Sequence, residues 1–122
     1  MQRIPVFSAA GEAMGTVPAN VVAIYGPSND PALIQLAREL RAAGDLPRFR
    51  NSKFFNSREI AGRFDVVVID DSAPNAQVVR GWFAGTEARL FTITRNDHGV
   101  ACIPAEVTAF IADSSARTAK RP

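Results

Sequence analysis

The sequence predicts an α/β fold in which a mostly parallel β-sheet lies between two layers of helices. Two strand–turn–helix units are visible, one starting with the strand Val21–Tyr25 and one with the run Val66–Asp71. Such units join parallel strands through right-handed crossovers. The second strand opens with four consecutive branched apolar residues, so it has no polar face and must be covered on both sides. It is therefore expected at the centre of the sheet.

The composition is that of one globular domain, with 122 residues of which 47% are apolar. No apolar run approaches the ~20 residues that a membrane span needs. The single cysteine excludes an intrachain disulfide, so a cytoplasmic protein is the simplest expectation. Twelve of the fourteen basic residues are arginine, which we attribute to GC-rich coding. The net charge of +2 does not indicate a nucleic-acid partner.

Residues 1–20 form a predicted N-terminal arm. Two short apolar stretches flank a turn that contains Gly11, which is the pattern of a β-hairpin. Pro5 restricts the first stretch to a sheet edge or a free arm. The hairpin either packs on its own domain or reaches a neighbouring subunit. In the second case Phe7 and Met14 are expected to contact the partner.

The next segment, residues 21–50, predicts a strand, a helix and a second strand. Asp30 is expected to cap the helix, with Pro31 at its first position. Apolar residues at helical spacing continue the helix to Gly44, a typical C-terminal glycine. Residues 47–50 alternate in polarity, which predicts an exposed edge strand.

A helix is also expected after the central strand, capped by Ser72 or Asp71 and with Pro74 in its first turn. Gly85 is expected to end it. The apolar residues at helical spacing in this helix are Val78, Val79, Trp82 and Phe83. Upstream of the central strand, residues 56–61 predict one short helical turn.

The last third of the chain predicts, in order, a strand at residues 89–94, a turn at 95–99, a short antiparallel strand at 100–103 and a helix from Pro104 whose Val107, Phe110 and Ile111 share a face. Residues 114–122 are small, polar and basic, so they are expected to form a tail. Three parts are thus predicted: an arm at residues 1–20, an α/β domain at residues 21–113 and the tail.

The strands of the main sheet are expected in the order 2-1-3-4, marked by Phe49, Ile24, Val67 and Phe91. Together with the hairpin, this order predicts a small Rossmann-like or flavodoxin-like three-layer sandwich. Ligands of such sheets bind outside the carboxyl ends of the strands, where the strand order reverses.

The first candidate site therefore comprises the loops at residues 26–30 and 70–75. Its candidate ligand-binding residues are Gly26, Ser28, Asn29, Asp30, Asp70, Asp71, Ser72 and Asn75. Backbone N–H groups at the helix start are suited to a phosphate, and the paired aspartates to Mg²⁺. The loop lacks both the Gly-x-Gly-x-x-Gly spacing and the lysine of a P-loop, and its carboxylates would repel a bare phosphate. We predict no metal site and no cofactor from this pattern.

A second candidate site is the basic and aromatic stretch at residues 48–58. Such interleaving occurs on single-strand nucleic-acid platforms, but the stretch matches no nucleic-acid motif. An edge strand whose charged side chains prevent pairing with another strand explains this pattern equally well. A protein partner is favoured, because aromatic residues and arginine dominate interface energetics. The residues expected to contact it are Arg48, Arg50, Phe54, Phe55 and Arg58.

His98 and Cys102 are the remaining residues suited to catalysis. Asp97 is placed to orient His98, but the sequence offers no evident nucleophile beside it. Cys102 falls in a predicted strand, where a buried and inert thiol is the usual case. The sequence therefore predicts no catalytic residue.

Two functions follow from these observations. The first is a non-catalytic structural or assembly protein that contacts partner subunits of an oligomer through its N-terminal arm and C-terminal tail. A virion component of a bacteriophage with a GC-rich host is one such protein. The alternative is a small domain or enzyme that binds a nucleotide or a phosphorylated metabolite at the loops 26–30 and 70–75.

Overall fold

The computed structural model describes residues 1–50 and 63–119. The strands are β1 (Gln2–Phe7), β2 (Ala13–Ala19), β3 (Val21–Tyr25), β4 (Leu46–Arg50), β5 (Val66–Asp70), β6 (Arg89–Arg95) and β7 (Ala101–Cys102). The helices are α1 (Pro31–Ala42), α2 (Ala76–Phe83) and α3 (Ala105–Ala119). The helical turn predicted at residues 56–61, and the predicted partner contacts Phe54, Phe55 and Arg58, lie outside the described residues.

The main sheet has five strands in the order β4-β3-β5-β6-β7. The first four are parallel, and β7 pairs antiparallel with β6. The four strands that the sequence marks by Phe49, Ile24, Val67 and Phe91 lie in the predicted order. All five residues of β5 are buried, as expected for a strand covered on both sides.

The core lies on both faces of this sheet. On one face, α1 and α3 cover a cluster that includes Ile24, Val68 and Val107. On the other face, α2 covers a cluster that includes Val67 and Phe83. Alternate residues of a strand point to opposite faces, so the all-apolar run of β5 supplies both clusters. The mixed α/β architecture predicted from the sequence is confirmed.

Helix α1 forms as its sequence signals predict. The Asp30 side chain accepts a hydrogen bond from the Leu33 N–H at 3.1 Å, and Pro31 is the first helical residue. Gly44 follows the helix with φ at +93°, a left-handed conformation that favours glycine.

Helix α2 differs from the prediction at its start and on its surface. It begins at Ala76, after Asn75 rather than after Ser72 or Asp71, and Asn75 has a left-handed φ of 65°. The Ser72 hydroxyl instead donates to Asp70 and accepts from Arg95, and its N–H also donates to Asp70. Val78 faces solvent and is 50% exposed, since the sheet side of this short helix is occupied by its neighbours.

The predicted polar tail is wrong for residues 114–119, which continue helix α3 to Ala119. Tertiary contacts explain the extension. Arg117 pairs with the buried carboxylate of Asp45 at 3.0 Å, and the Thr118 hydroxyl donates to the Ala43 carbonyl. Ser114 is buried in the same region. The end of α3 is therefore held against the turn that follows α1, and residues 120–122 lie outside the described residues.

The predicted N-terminal hairpin is confirmed as a separate antiparallel sheet of β1 and β2. Its base is attached to the main body, because the Met1 ammonium and the Val21 N–H both contact the carboxylate of Asp65. Most of the two strands beyond this base are exposed. Among the described residues, none of the helices has the length and hydropathy that a membrane span requires.

Candidate functional site

A cleft of about 820 Å³ opens at the carboxyl ends of β3, β4, β5 and β6. It is lined by residues 25–29 and 72–76 together with Phe49, Arg50, Val79 and Arg95. The two loops predicted from the sequence thus lie on one cleft. A volume of this size falls in the range typical of small-molecule sites.

Gly26 allows the first of these loops to approach β5 closely. A Cβ atom at this position would lie 2.6 Å from Leu33 Cδ1 and 3.1 Å from Asp70 Cβ. Since real Cβ atoms essentially never approach another heavy atom as closely as 2.6 Å, any larger residue would require Leu33 or the loop to shift. Gly26 therefore has a packing role in the site, in addition to lining it.

Arg95, at the end of β6, holds the strand-end loops together. Its Nη2 donates to Asp70 Oδ2 at 2.6 Å, and its Nη1 donates to Asp30 Oδ1 at 2.9 Å. The same guanidinium donates to the Ser72 hydroxyl and to the Gly99 carbonyl. Hence one side chain joins the loop before α1, the loop after β5 and the turn after β6.

The two carboxylates that contact Arg95 have lowered pKa values, which favours their ionised form. Burial tends to raise the pKa of Asp70, but hydrogen bonds from Arg95 and Ser72 outweigh it, so the pKa lies below its ordinary value. The hydrogen bond from Arg95 likewise lowers the pKa of Asp30. Hydrogen bonds to Asp70 and Asp30 raise the pKa of Arg95. The three groups therefore remain charged across the neutral pH range.

Asp71 does not join this cluster. Its carboxylate pairs with Arg80 at 2.9 Å, and Arg80 also donates to Thr92. The geometry thus directs Asp70 and Asp71 to different arginines, which argues against the Mg²⁺ arrangement considered from the sequence. Among residues 1–50 and 63–119, no group of three or more metal-ligating side chains is found.

The other predicted residues of this site differ in whether their side chains are accessible to a ligand. Ser28, Asn29 and Asn75 line the cleft and are exposed, which leaves their side chains accessible to a ligand. Ser72 also lines the cleft, but its hydroxyl already contacts Asp70 and Arg95.

Of the predicted partner contacts on β4, Arg50 lines the cleft and Arg48 does not. Both arginines are exposed, and the Arg50 guanidinium lies 5.4 Å from the centre of the Phe64 ring. Phe7 and Met14 lie on the hairpin, which joins the sheet at the amino end of β3 and thus opposite the cleft.

His98 and Cys102 lie outside the cleft lining. His98 is exposed in the turn before β7, and its N–H donates to the Asn96 side chain. Cys102 lies in a strand as expected, but its thiol is exposed rather than buried, because β7 is an edge strand of two residues.

No protein-family model, curated protein or solved structure matches this chain. The site is therefore interpreted from its own geometry.

Arg95 is the charged site residue that sequence reasoning missed, because it fell at the junction of a predicted strand and a predicted turn. Its position at the carboxyl end of β6 was the available signal. What the assembled lining offers is hydrogen-bond donors, two guanidinium groups and an apolar wall, which together suit the binding of a small molecule.

Proposed function

We propose that this protein is a small-molecule-binding domain and that its site is the cleft at the carboxyl ends of β3 to β6. The observation that carries the proposal is the contact of Arg95 with both Asp70 and Asp30. This buried cluster fixes the loops on either side of the cleft before any ligand arrives. Preorganised loops reduce the entropy that a ligand must overcome on binding.

The strand order and the placement of helices support a finer description of the fold. We infer that the body is a small Rossmann-like or flavodoxin-like sandwich, with the crevice between the ends of β3 and β5 as its switch point. In such sheets the loops that leave adjacent strands in opposite directions open a crevice for ligands. The loops at residues 26–30 and 70–75 have this relationship.

The test is a ligand panel followed by thermal unfolding. Ligands at about 100 times their Kd should stabilise the protein by about 2.7 kcal/mol. Ala73→Trp would fill the cleft and abolish this stabilisation. Ala84→Trp, at the exposed end of α2 and outside the lining, is the matched control and should retain it. Equal responses of the two variants would contradict the proposal.

A second function is favoured by the exposed hairpin. A two-stranded hairpin is marginally stable in water unless one face is covered. Phe7 is 60% exposed and Met14 is 66% exposed, so apolar side chains of this hairpin face solvent. We propose as the second candidate that the hairpin packs against a partner subunit in an oligomer. A bacteriophage virion is one setting that would supply such partners.

The prolines of the hairpin indicate how the contact would be made. Pro5 in β1 and Pro18 in β2 have no N–H to donate, which disfavours strand pairing along either edge. Side chains would therefore supply the contact.

Sedimentation of the Phe7→Ser, Met14→Ser double variant should show a smaller species than the parent protein. Val100→Ser, which removes an exposed apolar residue elsewhere, is the control. A parent protein that is monomeric at high concentration would exclude a homo-oligomer.

A further inference from the structure

We propose that the ligand of the cleft is a small organic anion, with a phosphate or carboxylate head and an apolar body. This inference rests on the proposed function and specifies the chemistry of the same site. It depends on how the fold distributes the charged residues around the cleft. This distribution cannot be read from the order of residues in the sequence.

Among residues 1–50 and 63–119, the charged residues that line the cleft are Arg50 and Arg95, and none of the lining residues in these ranges is a carboxylate. The carboxylates near it are turned away or already paired. The Asp70 side chain is 0% exposed behind Arg95, and Asp30 pairs with the same guanidinium. The repulsion of a phosphate that the sequence suggested is therefore reduced, because Arg95 offsets one of these two negative charges.

The two arginines differ in the contacts that they make with the described residues. Arg95 uses Nε, Nη1 and Nη2 on Asp70, Asp30, Ser72 and Gly99, so it is held in place and its single positive charge is already offset by the two carboxylates. Arg50 is exposed at the end of β4, with its guanidinium over the Phe64 ring. Arginine presents a planar fork that matches phosphate and carboxylate. Arg50 is therefore the residue assigned to the anionic head.

The opposite wall of the cleft adds to the preference for an anion. Residues 72–76 lead into α2, whose first turn carries no acidic residue and whose Asn75 side chain makes no capping hydrogen bond. The first N–H groups of a helix favour negative charge. An anionic head between Arg50 and this helix start would meet positive potential from both sides.

Part of the remaining lining is apolar and suits the body of such a ligand. Tyr25, Phe49 and Val79 contribute apolar surface, and Pro27 and Pro74 lie in the two loops. A bare inorganic ion would leave this surface uncovered. The lining therefore favours an organic anion over phosphate alone.

The test compares matched anionic and neutral probes by isothermal titration calorimetry. The pairs are phenyl phosphate with phenol, benzoate with benzyl alcohol, and adenosine monophosphate with adenosine, and inorganic phosphate is added as a separate probe. At least one anionic member should bind tenfold or more tightly than its neutral partner, because a charge-assisted hydrogen bond contributes on the order of a tenfold change in affinity. The identity of the tightest pair distinguishes a phosphate head from a carboxylate head.

Arg50→Gln should weaken that anion by about tenfold, and Arg48→Gln should not. The two arginines lie on the same strand and are both exposed, but only Arg50 lines the cleft. Thermal unfolding of both variants establishes that each is folded. Equal loss in the two variants would overturn the assignment of Arg50.

The outcomes separate this inference from the function on which it depends. If neutral probes bind as tightly as the anions and Ala73→Trp abolishes their binding, the preference for an anion is contradicted. The cleft would still be a ligand-binding site. If inorganic phosphate binds as tightly as every organic anion, the inference that the ligand has an apolar body is contradicted. Failure of all probes, neutral and anionic, in the folded protein would count against both proposals.

Discussion

The guanidinium of Arg95 and the carboxylate of Asp70 meet at 2.6 Å, where β5 and β6 end side by side in the sheet. Asp70 is fully buried, and Arg95 is 16% exposed at its side chain. The pair therefore lies at the boundary between the core and the cleft. Its position makes the stability of the domain and the shape of the site depend on the same contact.

Asp70→Asn should destabilise the protein by about 3 kcal/mol, because it leaves the Arg95 charge partly unpaired at a buried position. Urea unfolding at neutral pH measures this change. Asp71→Asn is the matched control, since Asp71 forms an exposed pair with Arg80 and should change the free energy of unfolding by less than about 1 kcal/mol. Similar losses in the two variants would show that the Arg95 contact has no special energetic role.

The stability of the domain should fall in acid. The pKa values of Asp70 and Asp30 are lowered in the folded state. Their stabilising contribution is therefore complete above the unfolded-state pKa of about 4 and is lost as the pH falls through the folded-state values. Urea unfolding from pH 7 to pH 2.5 tests this. The curve for Asp70→Asn should be less steep below pH 4 than that of the parent protein, and parallel curves would contradict the assignment.

Gly26→Ala should destabilise the protein by about 1–3 kcal/mol, since the added Cβ would lie too close to Leu33 and Asp70. Gly81→Ala is the control because a Cβ at Gly81 meets nothing within 4 Å and the position lies within α2. That change should stabilise the protein by up to about 1 kcal/mol through helix propensity. Thermal unfolding of the two variants should therefore shift in opposite directions, and a Gly26→Ala protein as stable as the parent would contradict the close approach at Gly26.

Arg117→Met should destabilise the protein by about 2–3 kcal/mol, because it leaves the buried carboxylate of Asp45 without its cation. Arg38→Met, at an exposed position on α1, serves as the control and should change the free energy of unfolding by less than about 0.5 kcal/mol. Hydrogen exchange of residues 114–119 reports the same contact locally, because exchange should accelerate when this end of α3 is released. Unchanged exchange would show that the helix end is stable without the pair.

The strands and the first helix were predictable because their signals are local. The apolar run of β5 requires cover on both faces, and Asp30 with Pro31 marks the start of α1 in the sequence. The position of the cleft was also predictable, since the carboxyl ends of parallel strands meet at one edge. These inferences need only neighbouring residues and the general behaviour of parallel sheets.

The start of α2 and the end of α3 were not predictable in this way. Ser72 has the side chain of a cap, but Asp70 and Arg95 bind it instead. Residues 114–119 are polar and small, but Arg117 and Thr118 contact residues more than seventy positions away along the chain. Contacts at such separation override local preference, and no local pattern reveals them.

By itself, the sequence determined which segments are strands, that the central one is buried on both faces, and that two loops converge at one edge of the sheet. Only the tertiary structure decided which charges face the cleft, because Arg95 pairs with Asp70 and Asp30 from a position at least twenty-five residues away along the chain. It also decided that the hairpin lies apart from the core. The physical reason is that periodicity and capping are properties of adjacent residues, whereas charge pairing and burial depend on which distant residues the fold brings into contact.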